Sequence, residues 1–388
     1  MADNPTAAAV SVDTTPSSAT SRRATLLGLA AFVVVLVAAL TWAKWWPYAH
    51  KVAGVLTTGT YSGTSALTDG GAAPPAPSWL TAWTFGIGYF RSVWMALVAA
   101  LFIAAASEAF LPRQWMVRVL SGGPRWLGGS MAGGLLGLPS MMCTCCTAPV
   151  ALSLRRSGVP TSSALAYWLA NPTLNPVVLV FMAVALPAQW VGVRIAAGLL
   201  LVFLVPPLLA RLSTPRVPAT THAGPAGGTL GDAGDVGALI GTTSAVEAQS
   251  LGDVRTALRR FAVALGKMAV ILVPEYIVVV ASMGVLRGWL FPIGGEFGDG
   301  GVILLVVLAV AGALFVIPTA GEIPIILGLL QAGVAPGPVG ALLVTLPALS
   351  LASLLLLRRA FPARLLLAAF ASVVVLGVLS GGVLWAIA

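Results

Sequence analysis

Pro149-Val150-Ala151-Leu152-Ser153-Leu154-Arg155-Arg156-Ser157-Gly158-Val159 returns, 175 positions later, as Pro324-Ile325-Ile326-Leu327-Gly328-Leu329-Leu330-Gln331-Ala332-Gly333-Val334. Further out, Pro172 meets Pro347 and Pro187 meets Pro362. Over 148–187 against 323–362, eleven of forty positions are identical without a gap. Shared apolar composition does not explain matching Pro and Gly at breaks, so the chain reads as two similar halves.

The surrounding composition says where such halves reside. The 388 residues are 58% hydrophobic and 9% charged, against about 25% charged for a soluble domain. Several apolar runs are long enough to cross a hydrocarbon core about 30 Å thick. Backbone groups in lipid must be satisfied internally, so these runs read as helices. No barrel-like alternation is present. The expected fold is an all-α polytopic membrane protein: an N-terminal helix plus two inverted-topology repeats, each with a broken or re-entrant hairpin.

The expected organisation is a disordered cytosolic tail (1–25), a first transmembrane helix (26–44) and an external loop (45–83). A first repeat (84–212), a cytosolic linker (213–256) and a second repeat (257–388) follow. Ser21-Arg22-Arg23 faintly resembles an export signal. No small-residue cleavage site precedes Trp45-Trp46, so the first helix reads as retained. Apolar segments fall at roughly 84–111, 127–142, 147–154, 163–186 and 190–210, then 261–286, 302–317, 322–332, 338–357 and 365–387. The short pairs at 127–154 and 302–332 are interrupted by Pro139 and Pro318. Each pair reads as a hairpin that enters the membrane and returns to the same side.

The +9 net charge does not indicate a nucleic-acid partner, because basic residues lie between apolar runs rather than in one patch. With an inside N-terminus, Lys44 and Lys51 fall outside, while Arg113, Arg118, Arg125, Arg155 and Arg156 fall inside. Arg211, Arg216, Arg255, Arg259, Arg260, Arg358, Arg359 and Arg364 also fall inside, and Glu296 and Asp299 lie in an outer loop. With Lys267 counted inside, sixteen basic residues are inside and five outside, as the positive-inside rule requires. The expected location is the inner or plasma membrane, with a cytosolic N-terminus and an external C-terminus. The hairpins then enter from opposite faces.

The first tip reads Pro139-Ser140-Met141-Met142-Cys143-Thr144-Cys145-Cys146-Thr147-Ala148-Pro149 and holds all three cysteines. Thiolates suit soft ions such as Cu(I), Zn and trivalent arsenic or antimony. Packing as small hydrophobes and redox chemistry are the alternatives. The spacing is not that of a structural zinc site. The second tip, Pro318-Thr319-Ala320-Gly321-Glu322-Ile323-Pro324, places Glu322 opposite Thr147 in the repeat. An intramembrane carboxylate faces a cavity, pairs or carries protons; Glu322 could equally be a carboxylate favoured by a helix start. Glu275, after Pro274, is a second proton candidate or a partner for Lys267. Glu108 reads as interfacial. Asn171-Pro172-Thr173-Leu174-Asn175-Pro176 breaks an apolar helix, either as a capped kink or as a cavity lining.

Candidate substrate ligands are therefore Cys143, Cys145, Cys146, Asn171, Asn175 and Glu322, with Glu322 and Glu275 as proton-coupling candidates. No catalytic residue, cofactor or resident metal is expected. The partners are a small-molecule or ion substrate and the lipid bilayer, and the sequence leaves room for a homo-oligomer.

The run from Cys143 to Gly158, followed by Asn171-Pro172-Thr173-Leu174-Asn175-Pro176, resembles the ArsP/YraQ-type predicted permease family over about residues 85–387. The resemblance implies an inner-membrane permease without covalent chemistry. It further implies, from members that export organoarsenicals, a cysteine pair at this tip that binds trivalent methylated species. The family's usual tip is Cys-Ser-Cys-Gly; here it is Cys143-Thr144-Cys145-Cys146. The Pro318-Thr319-Ala320-Gly321-Glu322 tip is a second difference. Another small solute or anion, and membrane thiol oxidoreduction, are the competing readings.

Overall fold

The computed structural model describes residues 18–61, 65, 75–111, 113–121, 129–213, 254–291 and 301–388. Among these there are helices and no strands. Among the described residues, seven helical stretches are long and apolar enough to cross a membrane: Leu26–Thr58, Trp79–Phe110, Thr161–Ala185, Ala188–Arg211, Arg255–Leu290, Pro336–Leu357 and Ala363–Ile387. The all-helical membrane class expected from composition is therefore the observed one. Residues 1–17 of the tail, nearly all of the linker, Arg125, Arg216, Glu296 and Asp299 lie outside the described residues.

The first helix differs from its expected bounds. α1 (Ser18–Leu40) runs through a π turn (Thr41–Trp45) into α2 (Trp46–Thr58), so residues 46–58 are helical rather than loop. The reason is local. Pro47 has no N–H for the Ala43 carbonyl, and its ring needs room in the preceding turn. The wider π turn supplies that room. Gly59, at φ 65°, ends the helix with its N–H on Val55 O. Leu26–Thr58 is 33 residues, about 50 Å at 1.5 Å per residue, so Lys44 lies well inside it.

α3 (Trp79–Phe110) starts from a Ser78/Thr81 capping box. It is followed by α4 (Arg113–Leu120), which buries Met116 and Leu120 and exposes Arg113 and Arg118. The first hairpin is α5 (Ser130–Gly137), a 3-10 turn (Leu138–Ser140) and α6 (Thr144–Arg156). Neither arm reaches the roughly 20 residues a full crossing needs. α7 (Thr161–Thr173) fixes their directions. A Cβ on Gly133 would meet Ser163 O, and one on Gly137 would meet Tyr167 O and Asn171 Nδ2, so α5 runs parallel to α7. α6 joins the start of α7 through the turn at Gly158, φ 87°, and runs the other way. The tip therefore ends beside Asn171, and both arms open beside the start of α7.

α8 (Pro176–Ala185) completes that span, and α9 (Ala188–Leu199), a π turn (Leu200–Leu204) and α10 (Val205–Ser213) return. The second half holds α11 (Val254–Leu290), then α12 (Gly301–Leu314) and α13 (Glu322–Gln331) as the second hairpin. It ends with α14 (Pro336–Ala348), α15 (Leu351–Leu357) and α16 (Ala363–Ile387). Helix boundaries recur at the sequence offset: α7 and α14 both run 13 residues and start 175 positions apart, and α8/α15 and α9/α16 start at the same spacing. Gly333, φ 84°, occupies the left-handed turn of Gly158.

α7 and α14 are almost wholly buried and form the centre. α3 packs along α11, and α14 packs against α12 and α16. Exposed apolar side chains such as Val270, Val278, Val302 and Leu367 face outward. Lipid offers no hydrophobic gain for helix association, so close packing and buried hydrogen bonds carry it.

Candidate functional site

Pro139 ends α5, and Met141 turns the chain at φ 51°, a conformation uncommon outside glycine. Cys143 then lies extended as the N-cap of α6, with Cys145 and Cys146 in its first turn. Its carbonyl accepts the N–H groups of Cys146 and Thr147, both at 3.1 Å. This geometry converges the thiols. Cys143 Sγ is 3.1 Å from Cys145 Sγ and 2.9 Å from Cys146 Sγ. All three are free thiols, buried, and within 4.8 Å of one another. Such a cluster could hold a soft, thiophilic species. Thr147 closes the turn by donating to Thr144 O at 3.0 Å.

Two tyrosines absent from the sequence reading bracket Cys145. Tyr89 Oη lies 3.2 Å from Cys145 Sγ and donates to Ile317 O at 3.2 Å. Tyr276 Oη lies 3.4 Å from the same sulfur. A phenol has one proton, so with that proton on Ile317 O the thiol donates to Tyr89. One hydroxyl thus joins the two tips.

The second tip turns at Ala320, φ 68°, and Glu322 starts α13. Its carboxylate pairs with Arg194 Nη2 at 3.3 Å, and both side chains are 1% exposed. Arg194 also donates through Nε to Thr173 O and through Nη2 to Pro172 O, both at 2.8 Å, and through Nη1 to Leu343 O. Proline chemistry explains these acceptors. Pro176 has no N–H for Pro172 O, and Pro347 has none for Leu343 O. The Val177 N–H that would bond Thr173 O goes instead to Asn175 Oδ1 at 3.1 Å. One planar guanidinium therefore satisfies three carbonyls left open at two helix breaks. The charge count leaves Arg194 on the outer side; the structure buries it at the centre. An intramembrane cation within the apolar run 190–210 was the available signal.

Lys44 is a second such correction. Its expected place is the outer end of the first helix, yet it is 5% exposed. Its Nζ donates to Thr319 Oγ1 at 3.0 Å and lies 5.1 Å from the Tyr48 ring centroid. Trp45 Nε1 donates to Pro139 O at 2.9 Å, and Tyr61 Oη to Ala320 O at 3.3 Å. The N-terminal segment, outside the repeat, thus contacts both tips. Burial first, and then the Glu322 charge, push the Tyr61 hydroxyl well above its usual range, so it remains a donor.

The remaining candidates separate. Asn171 donates to Tyr167 O at 2.9 Å and accepts the Met142 N–H at 3.5 Å, which steadies the first tip. Asn175 caps α8 through Oδ1, leaving its buried Nδ2 without a partner. Ser350, its repeat counterpart, caps α15. A small cavity between the tips is lined by Met142, Cys143, Thr144, Ile317, Thr319 and Glu322, among others. Pro172 and Val178, rather than the two asparagines, represent the break there. Glu275 pairs with Arg359 at 2.7 Å, not with Lys267, and stands apart from Glu322. Glu108 lies within electrostatic reach of Arg156.

The chain matches the ArsP-type family, described as predicted permeases, over residues 29–168 and 78–385. It is 38% identical to the UPF0718 protein YraQ of Escherichia coli over 355 residues, covering 91% of this chain and 93% of that protein. No solved structure matches. A multi-span helical chain with this match over most of its length belongs to the predicted permease family.

Proposed function

We propose that this permease exports a small soft species, a trivalent organoarsenical or a metal ion, from the inner membrane. Cys143, Cys145 and Cys146 bind it, and Glu322 couples its movement to protons. The observation that carries the reading is the meeting of three thiols and one carboxylate at two hairpin tips. The halves rock about that point, exposing it to one side and then the other.

An inverted arrangement is supported by the charges at the helix ends. Arg156, at the open end of the first hairpin, is within electrostatic reach of Arg359, just past α15. The span Pro336–Leu357 runs from the open end of the second hairpin toward Arg359, so the two hairpins open at opposite ends of it. The Arg155, Arg156, Arg358 and Arg359 end is cytosolic under the positive-inside rule.

The test is transport of a trivalent methylarsenical into inside-out vesicles. Uptake is lost in the Cys143→Ser/Cys145→Ser/Cys146→Ser variant. Full uptake by that variant would rule out thiol ligation.

A second reading, an anion permease with structural cysteines, has one observation in its favour. Lys44 and Arg194 bring two cations to the tips against the single carboxylate of Glu322. The starts of α6 and α13 would add positive dipole ends. Thiol-insensitive uptake of an inorganic oxyanion would select it.

A further inference from the structure

Two cavities flank the thiol cluster, and each takes a different cysteine. The cavity between the tips is lined by Cys143 and includes Thr319, Ala320 and Glu322. A second, lined by Leu97, Cys145, Pro149, Glu275, Tyr276 and Leu356, lies on the other side of the cluster. Their volumes are about 10 Å³ and 20 Å³, each room for about one water. Cys146, fully buried, lines neither.

The rims point to opposite faces. Glu275 is 22% exposed and pairs with Arg359, 25% exposed, at the face of Arg156. The tip cavity is rimmed by partly exposed Pro318 and Thr319. Beside it lie Lys44 and Tyr61, and Tyr61 packs 5.4 Å from Phe181 on α8, beyond the helix break. Cys143, which lines the first cavity, and Cys145, which lines the second, have their sulfurs 3.1 Å apart.

We infer that the thiol cluster divides one transport path, with Cys145 as the ligand reached from the Arg359 face and Cys143 as the ligand reached from the opposite face. The inference rests on the soft-species reading above. Transfer is ligand exchange. A bond from the soft centre to Cys143 sulfur forms as its bond to Cys145 sulfur breaks, and the Cys143 proton passes to Cys145. No electron changes hands. Cys146, 2.9 Å from Cys143, holds the soft centre during the exchange. Glu275, held by Arg359, closes the rim of the cavity that Cys145 lines.

The experiment uses full-length protein in membrane vesicles of both orientations, labelled with a membrane-impermeant maleimide. Cys143→Ser/Cys146→Ser leaves Cys145 alone, and it reacts from the Arg359 face. Cys145→Ser/Cys146→Ser leaves Cys143 alone, and it reacts from the other face. Adding Glu275→Gln raises the Cys145 labelling rate several-fold and leaves that of Cys143 unchanged. Both thiols reacting from one face, or either failing to react in vesicles where the denatured protein does react, overturns the division. Thiol-dependent transport with same-face labelling refutes only the division. Wild-type transport without any thiol refutes the underlying reading as well.

Discussion

Arg194 and Glu322 form a buried ion pair at 3.3 Å that ties α9 to the second hairpin tip. The same guanidinium holds carbonyls of Pro172, Thr173 and Leu343, so one side chain links both helix breaks and a tip. Removing either partner has unequal consequences, because Arg194 has other acceptors and Glu322 has few alternatives.

Arg194→Gln is expected to lower stability by about 3–5 kcal/mol, since it strands a buried carboxylate. Glu322→Gln is expected to cost less, about 1–3 kcal/mol, because the guanidinium keeps three carbonyls. Thermal unfolding of the two variants in detergent measures the order. A larger loss for Glu322→Gln would show that the carbonyls contribute little.

The proline account makes a rescue prediction. In an Arg194→Gln background, Pro347→Ala returns an N–H to Leu343 O and recovers about 1 kcal/mol. In the wild-type background the same substitution places that N–H in competition with Arg194 and gives no such gain. Paired unfolding measurements decide it; equal effects in both backgrounds would sink the account.

Glu322→Gln also tests proton coupling. Transport in vesicles is expected to lose its dependence on an imposed pH gradient while substrate binding survives. Retained gradient dependence would assign the coupling elsewhere.

Tyr89→Phe removes the hydroxyl that touches Cys145 and Ile317 O. The expected stability loss is about 1 kcal/mol, with a much larger loss of transport rate, because the tips lose their shared contact. A transport loss no greater than the stability change explains would make Tyr89 a packing residue.

Lys44→Met separates the two functional readings. A soft cation or neutral arsenical retains uptake, whereas an anion loses it by tenfold or more, as about 1.4 kcal/mol of lost binding implies. Initial uptake rates at low substrate concentration give the answer.

The sequence by itself determined the helical membrane class, the breaks and the positions of the tips. Pro, Gly and cysteine act on their own turns, so Pro139, Pro172, Pro176 and Pro318 mark interruptions wherever the helices pack. The 175-residue offset was legible for the same reason, since local boundaries recur with local residues. Tertiary structure decided what fills the breaks. Arg194 and Glu322 are 128 positions apart, Lys44 and Thr319 275 apart, and no local rule couples them. Lys44 reads as an external charge until the helix continues through Pro47 on a π turn. The asparagines read either as kink caps or as cavity lining, and no local rule says that a distant guanidinium takes the open carbonyls beside them. A buried polar group is satisfied by whichever donor packing brings within about 3 Å, and only the folded chain specifies that donor.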